Sequence, residues 1–233
     1  MMKINGLRDE ICRVGRSLYE RGYVHATAGN ISVQLAPEQG GGFLITPTDA
    51  CLGALVPEQL AHVDAQGIQL SGERASKTLV LHRAIYAASS GTEAPAGCVI
   101  HTHSTHCVAL SLAPSDWRCE TKAGIELLPP ITPYFVMKVG HVPLIPYARP
   151  GHPEVAERVA EAIARYAQAG TPLRAVMLDR LGPNVWHNSP AQAMAVLEEL
   201  EETARLWQLN QARASALSAA ALAELQQAFG CRW

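Results

Sequence analysis

Residues 98–110 read CVIHTHSTHCVAL. Cys98-Val99-Ile100 is a short apolar run of the kind that forms a buried strand, and His101-Thr102-His103 stands at its end. Ser104 is placed to cap a helix running through Ser111. Side chains alternate across a strand, so His101 and His103 leave the same face. Two readings follow. Two imidazoles on one face can chelate a divalent cation, since imidazole suits zinc and its neighbours; or they are two polar residues hydrogen-bonded at a strand end. His106, three residues on, falls inside the helix, where a structural histidine with its hydrogen bonds met is expected.

On the N-terminal side, residues 7–22 place Leu7, Ile11, Val14 and Leu18 at helical spacing, with Gly22 as a stop. Thr27-Ala28-Gly29-Asn30-Ile31-Ser32-Val33 is a glycine turn entering a strand, and Phe43-Leu44-Ile45-Thr46 is its hairpin partner. His62 to Leu70 predicts another hairpin, turning at Gln66-Gly67. Residues 77–90 form a helix with Leu81, Ile85 and Ala88 on one side.

On the C-terminal side, the proline-rich stretch 129–147 reads as loop with short extended pieces. His152-Pro153 opens an amphipathic helix to about residue 169, and Ala175–Leu178 is a buried strand. Pro190 starts a long helix whose Glu198, Glu199, Glu201 and Glu202 read as a solvated face. An Ala-rich helix covers 215–228. Helices alternate with strands of mixed type and no linker divides the chain, so one α/β domain is expected.

Composition sets the bounds. The chain has 233 residues, 48% of them hydrophobic and 17% charged, which argues against long disorder. Lys+Arg 19 against Asp+Glu 21 gives a net charge of −2, so no basic field recruits nucleic acid or an anionic membrane. No apolar run is long enough to span a bilayer. The six cysteines are scattered without a CxxC pair, which fits reduced thiols in a cytoplasmic protein.

Four further features could carry chemistry. Thr27–Asn30, Thr46–Asp49 and Ser76-Lys77 are small-residue turns or a helix start beside strands. Backbone N–H groups in such places can cradle a phosphate, with Lys77 adding a cation, though each is also ordinary turn chemistry. Tyr134 is either a proton donor or a buried aromatic with its hydroxyl satisfied.

Taken in order, TAGNISV, LITPTDA, the ASK helix start, CVIHTHSTHCVAL, LPPITPYFVMKVGHVPLIPY and LEELEETARLW resemble the class II aldolase/adducin-head family over about residues 7–209. PPITPYFVMKVG and ELEETA point to its decarboxylase branch, which acts on 3-oxo-tetronate 4-phosphates and is related to fuculose- and ribulose-phosphate aldolases. The resemblance implies a three-layer domain at 1–210, with a central, mostly antiparallel sheet flanked by helices, and leaves 211–233 as a helical extension. It also implies a homotetramer with sites at subunit interfaces.

For the site, the resemblance implies a divalent metal, normally zinc, on His101 and His103. It implies Gly29, Asn30, Thr48, Ser76 and Lys77 around a substrate phosphate, and Tyr134 working near a neighbouring subunit's site. Two positions depart from the family. Thr78 stands where the family has its glutamate base, and Leu181 where it has a third histidine ligand. His106, His141, His187, Glu73 and the substrate all remain open as sources of a further ligand. The implied reaction is decarboxylation of a small phosphorylated sugar acid to dihydroxyacetone phosphate and CO2. A sugar-phosphate aldolase, dehydration or epimerisation of a sugar phosphate, and a non-catalytic adducin-head-like binding protein stand as alternatives.

Overall fold

α1 (Ile4–Glu20) buries the predicted stripe of Leu7, Ile11, Val14 and Leu18, together with Gly15. It lies on a sheet that a computed structural model, describing residues 4–121 and 123–233, shows to have eight strands. These are β1 (Asn30–Gln34), β2 (Phe43–Ile45), β3 (Ala61–Val63), β4 (Gln69–Ser71), β5 (Cys98–His101), β8 (Leu144–Ile145), β9 (Ala175–Leu178) and β10 (Gly182–His187). Their order is β4-β3-β2-β1-β5-β10-β9-β8. Neighbours are antiparallel except β8 and β9. β6 (Cys119–Thr121) and β7 (Gly124–Glu126) form a separate ribbon.

Strand alternation sorts the core into two halves. Ile31, Val33, Cys98, Ile100, Met177 and Val185 face a cluster with α1 and with α6 (Pro190–Leu209). Val99, Val176, Leu178 and Trp186 face the opposite cluster, with α2 (Leu79–Ser89) and α5 (Pro153–Gln168). Helices thus cover both faces, as the three-layer expectation requires. No helix among the described residues is long and apolar enough to cross a membrane.

Four local expectations need correction. α2 buries Leu79, His82, Ile85, Tyr86 and Ser89, a stripe with three polar members that a search for apolar spacing passes over. Pro133–Lys138 is helix α4, not loop: proline suits the first helical turn, and Thr132 Oγ1 accepts the Phe135 N–H at 3.1 Å. Gly182–His187 is a central strand, β10, that the sequence reading did not identify. Glu201 is buried rather than solvated. It caps α3 (Thr105–Leu112), accepting the N–H groups of His106 at 2.7 Å and Cys107 at 3.0 Å, while the Ser104 side chain makes no capping bond.

The C-terminal segment packs back on the body. α7 (Ala219–Phe229) lies against α4, the Trp233 ring stacks on His141 at 4.3 Å, and Arg232 donates to the Gly170 carbonyl.

Candidate functional site

Register places the site. Asn30 of β1 and Asn184 of β10 both pair with His101 of β5, so three adjacent strands set these residues in one row. By strand alternation the row lies on the face that α2 covers. All three are buried.

Two glycines bring the flanking turns close. Gly29 has φ +84, and a Cβ there would crowd Val24 and the His101 carbonyl oxygen. Gly182 has φ +139, and a Cβ there would fall on the Thr102 carbonyl oxygen, 3.1 Å from His103 Cα. The glycine turn before β1 and the β9–β10 turn carrying Leu181 therefore both press on His101-Thr102-His103.

His101 is oriented by the fold. Its Nδ1 lies 3.0 Å from the Pro183 carbonyl oxygen, which can only accept. Nδ1 therefore carries the proton, and Nε2 keeps a free lone pair. The His101 and His103 rings are 5.1 Å apart, centroid to centroid. Two imidazoles bound tetrahedrally through Nε2 to one cation put their centroids roughly 5 Å apart. Burial, then the neighbouring His103, lowers the His101 pKa to about 3 against the Pro183 hydrogen bond. Burial, then His25, lowers that of His103. Both rings are neutral near pH 7, the form that ligates a metal.

The expected phosphate turns adjoin this row. Asn30 Nδ2 donates to Thr78 Oγ1 at 3.2 Å, and the Ser76 hydroxyl donates to the same oxygen at 3.1 Å. Ser76 N–H reaches the Thr46 carbonyl at 3.3 Å, and Thr48 N–H the Arg74 carbonyl at 2.9 Å, so the two turns run side by side. Lys77 is exposed at the start of α2. Gly29 and Asn30 are thus linked to His101 by close approach and by register, Thr78 and Ser76 join through Asn30, and Thr48 joins through its turn.

Tyr134 is not part of this group within the chain. It is 60% exposed on α4, which overturns the buried-aromatic reading.

The residues left open as further ligands are engaged elsewhere or stand apart. His106 Nδ1 lies 2.8 Å from Gln208 Oε1, and His141 Nδ1 is 2.9 Å from the Glu126 carboxylate. His187 Nδ1 accepts the Asn188 N–H at 2.8 Å. Glu73 is exposed beside β4. Leu181 packs against the apolar cluster on the α2–α5 side. Among the described residues, no three His, Cys, Asp or Glu side chains gather as a metal cage.

Behind the site lies a polar seam the sequence reading missed. Ser32, two residues after Asn30, has its Oγ 2.7 Å from His82 Nδ1 and 2.8 Å from Tyr86 Oη. β1 residues at i and i+2 thus meet Thr78, which precedes α2, and His82 and Tyr86 of α2, spaced by four. A helical stripe opposite alternate polar strand positions was the available signal.

His82 is fully buried, and its pKa falls from 6.5 to about 3, first through burial and then through His101. Such a ring stays neutral in the fold but takes up a proton once the chain unfolds below pH 6.5. Stability should therefore fall as pH drops from about 6.5 toward about 3. Chemical denaturation of wild type and His82→Gln should show a variant slope shallower by about 1.4 kcal/mol per pH unit between roughly pH 4 and 6. Parallel slopes would mean that His82 does not titrate on unfolding.

The sequence pattern of the Class II Aldolase and Adducin N-terminal domain family matches residues 9–208. The chain belongs to this family. It is similar to a 3-oxo-tetronate 4-phosphate decarboxylase of Cupriavidus necator, 52% identical, the alignment covering 97% of each chain. A protein of the same name from Escherichia coli K12 is 40% identical over 86% of this chain and 85% of its own. The crystal structure of YgbL from Escherichia coli, described as an aldolase/epimerase/decarboxylase, superposes with a TM-score of 0.83 at 37% identity, covering 96% of this chain and 99% of the other. The l-fuculose-1-phosphate aldolase of Thermus thermophilus also superposes, with a TM-score of 0.69 at 28% identity, covering 91% of this chain and 98% of the other. Class II aldolases depend on a divalent metal. The residues present fit two positions of such a site, His101 and His103, and leave a third open.

Proposed function

We propose that this protein is a metal-dependent carbon–carbon lyase that decarboxylates a 3-oxo-tetronate 4-phosphate to dihydroxyacetone phosphate and CO2. The observation that carries the reading is the His101–His103 pair beside the Asn30, Ser76 and Thr78 hydrogen-bonding group, in a chain 52% identical to a relative named for this reaction.

His101 and His103 would hold the cation, zinc by the nitrogen donors. Bound there, it supplies Lewis acidity toward the substrate's keto oxygen. Asn30, Thr48, Ser76 and Lys77, with the backbone at Gly29, would hold the phosphate, and its binding energy aligns the carboxylate with the carbonyl π-system. When CO2 leaves, the electrons of the broken C–C bond pass into that carbonyl without prior removal of a proton. Thr78, which cannot serve as a carboxylate base, is thus compatible with decarboxylation and poorly suited to aldol cleavage, where a hydroxyl proton must be taken. Water, or Tyr134 of a neighbouring copy in a homotetramer, would return a proton to carbon. Six free cysteines support a reducing, cytoplasmic setting. Residues 1–210 would form the catalytic domain and 211–233 an extension docked on it.

A second reading, a binding protein without turnover, is favoured by the same two departures. The Thr78 hydroxyl is taken up by Asn30 and Ser76, and Leu181 is taken up by apolar packing. CO2 release from 3-oxo-tetronate 4-phosphates by metal-replete protein separates the two. Wild type is expected to turn over, to stop when chelator is added, and to need neither Thr78→Glu nor Leu181→His. Activity confined to the doubly substituted protein, or absent throughout, would establish the binding-protein reading.

A further inference from the structure

The two-histidine pair is one imidazole short of a tight site, since zinc centres that keep an open position use three protein ligands. His25 is the nearest unengaged ring. Its centroid is 6.4 Å from that of His103, at an interplanar angle of 74°. The His25 side chain is exposed and makes no hydrogen bond among the described residues, whereas His106, His141 and His187 are each held by a partner.

The backbone beneath His25 is fixed against the pair. Its carbonyl accepts the Ala28 N–H at 2.9 Å, closing a turn, and Ala26 inside that turn sits at φ +47. The turn runs directly into Gly29, which abuts the His101 carbonyl, and Asn30, which pairs with His101 in the sheet. Only the exposed side chain has to rotate. As they stand the three rings form no cage, so ligation requires the His25 ring to turn toward both His101 and His103.

We propose that His25 is the third protein ligand of a divalent cation held by His101 and His103, leaving the remaining coordination position to water or substrate. The inference rests on the two-histidine reading above and adds a residue to it. It also gives the chain a ligand set drawn from the turn before β1 and from the end of β5 and the segment after it, without residue 181.

The test is titration of metal-free protein with Co2+, followed by visible absorption and by competition with a chromogenic chelator. Wild type, His25→Ala and His101→Ala are compared, with far-UV circular dichroism confirming that each is folded. The expected result is one Co2+ per wild-type chain, affinity at least tenfold weaker in His25→Ala with an altered ligand-field spectrum, and no stoichiometric binding in His101→Ala. If His25→Ala weakens binding less than tenfold and keeps the wild-type spectrum while His101→Ala abolishes binding, the His25 assignment falls and the two-histidine reading stands. If His101→Ala still binds Co2+ like wild type, or wild type binds none, the two-histidine reading falls and His25 with it.

Discussion

Alanine at both His101 and His103 is expected to leave the purified protein without stoichiometric divalent metal and to bring CO2 release to background. Both effects come from one cause. Burial keeps the two rings neutral, the Pro183 carbonyl fixes the tautomer of His101, and the ring spacing of 5.1 Å matches chelation. Lewis-acid assistance supplies several kcal/mol of transition-state stabilisation, so its loss is worth about 10³-fold or more in rate. The fold should survive, because the change removes no apolar core residue and frees one carbonyl hydrogen bond worth about 1 kcal/mol. Elemental analysis and a thermal melt check both points. Unchanged metal content in the double variant would dismiss these residues as ligands.

Glu201→Ala should produce the largest loss of stability. The carboxylate is 3% exposed and accepts two N–H groups at the first turn of α3, where the helix dipole also favours negative charge. Its removal leaves the buried Cys107 N–H and the half-buried His106 N–H without a partner, at a cost of about 3 kcal/mol. For a chain of this size that corresponds to a fall of roughly 6–12 °C in the melting midpoint. Glu201→Gln retains one acceptor oxygen and should fall between. Since α3 begins two residues after His103, the alanine variant should also bind metal more weakly than wild type. A midpoint within about 2 °C of wild type would show that another group or solvent replaces the cap.

Much of the fold was legible because it rests on apolar spacing. α1, β1, β2, β5 and β9 all follow from apolar runs or stripes. What escaped were buried positions that are polar and element boundaries that look like breakers. His82, Tyr86 and Ser89 fill the inner face of α2, prolines open α4, and Gly182-Pro183-Asn184 begins a central strand. Glu201 was misread because an acidic run on a helix is usually solvated, and only the packing of α3 on α6 shows which member turns inward. The His101–His103 pair could be read locally because the two residues are only two apart in the chain, although β5 ends at His101 and His103 lies in the segment leading into α3, not on the strand as expected. His25 could not, because its approach to His103 depends on the register between β1 and β5.

The carbonyl of Pro183 accepts both the His101 Nδ1–H and the Thr102 N–H. It lies 82 residues beyond His101 in the chain. During synthesis at about 5–20 residues per second, the histidine pair emerges roughly 4–16 s before the group that orients it. The nascent chain thus carries HTH without its fixed tautomer, which, on the proposed metal reading, makes cation capture a late event in biogenesis. A ribosome stalled before codon 183 should display a chain that takes up metal poorly, and maturation of the centre should coincide with closure of the β9–β10 hairpin.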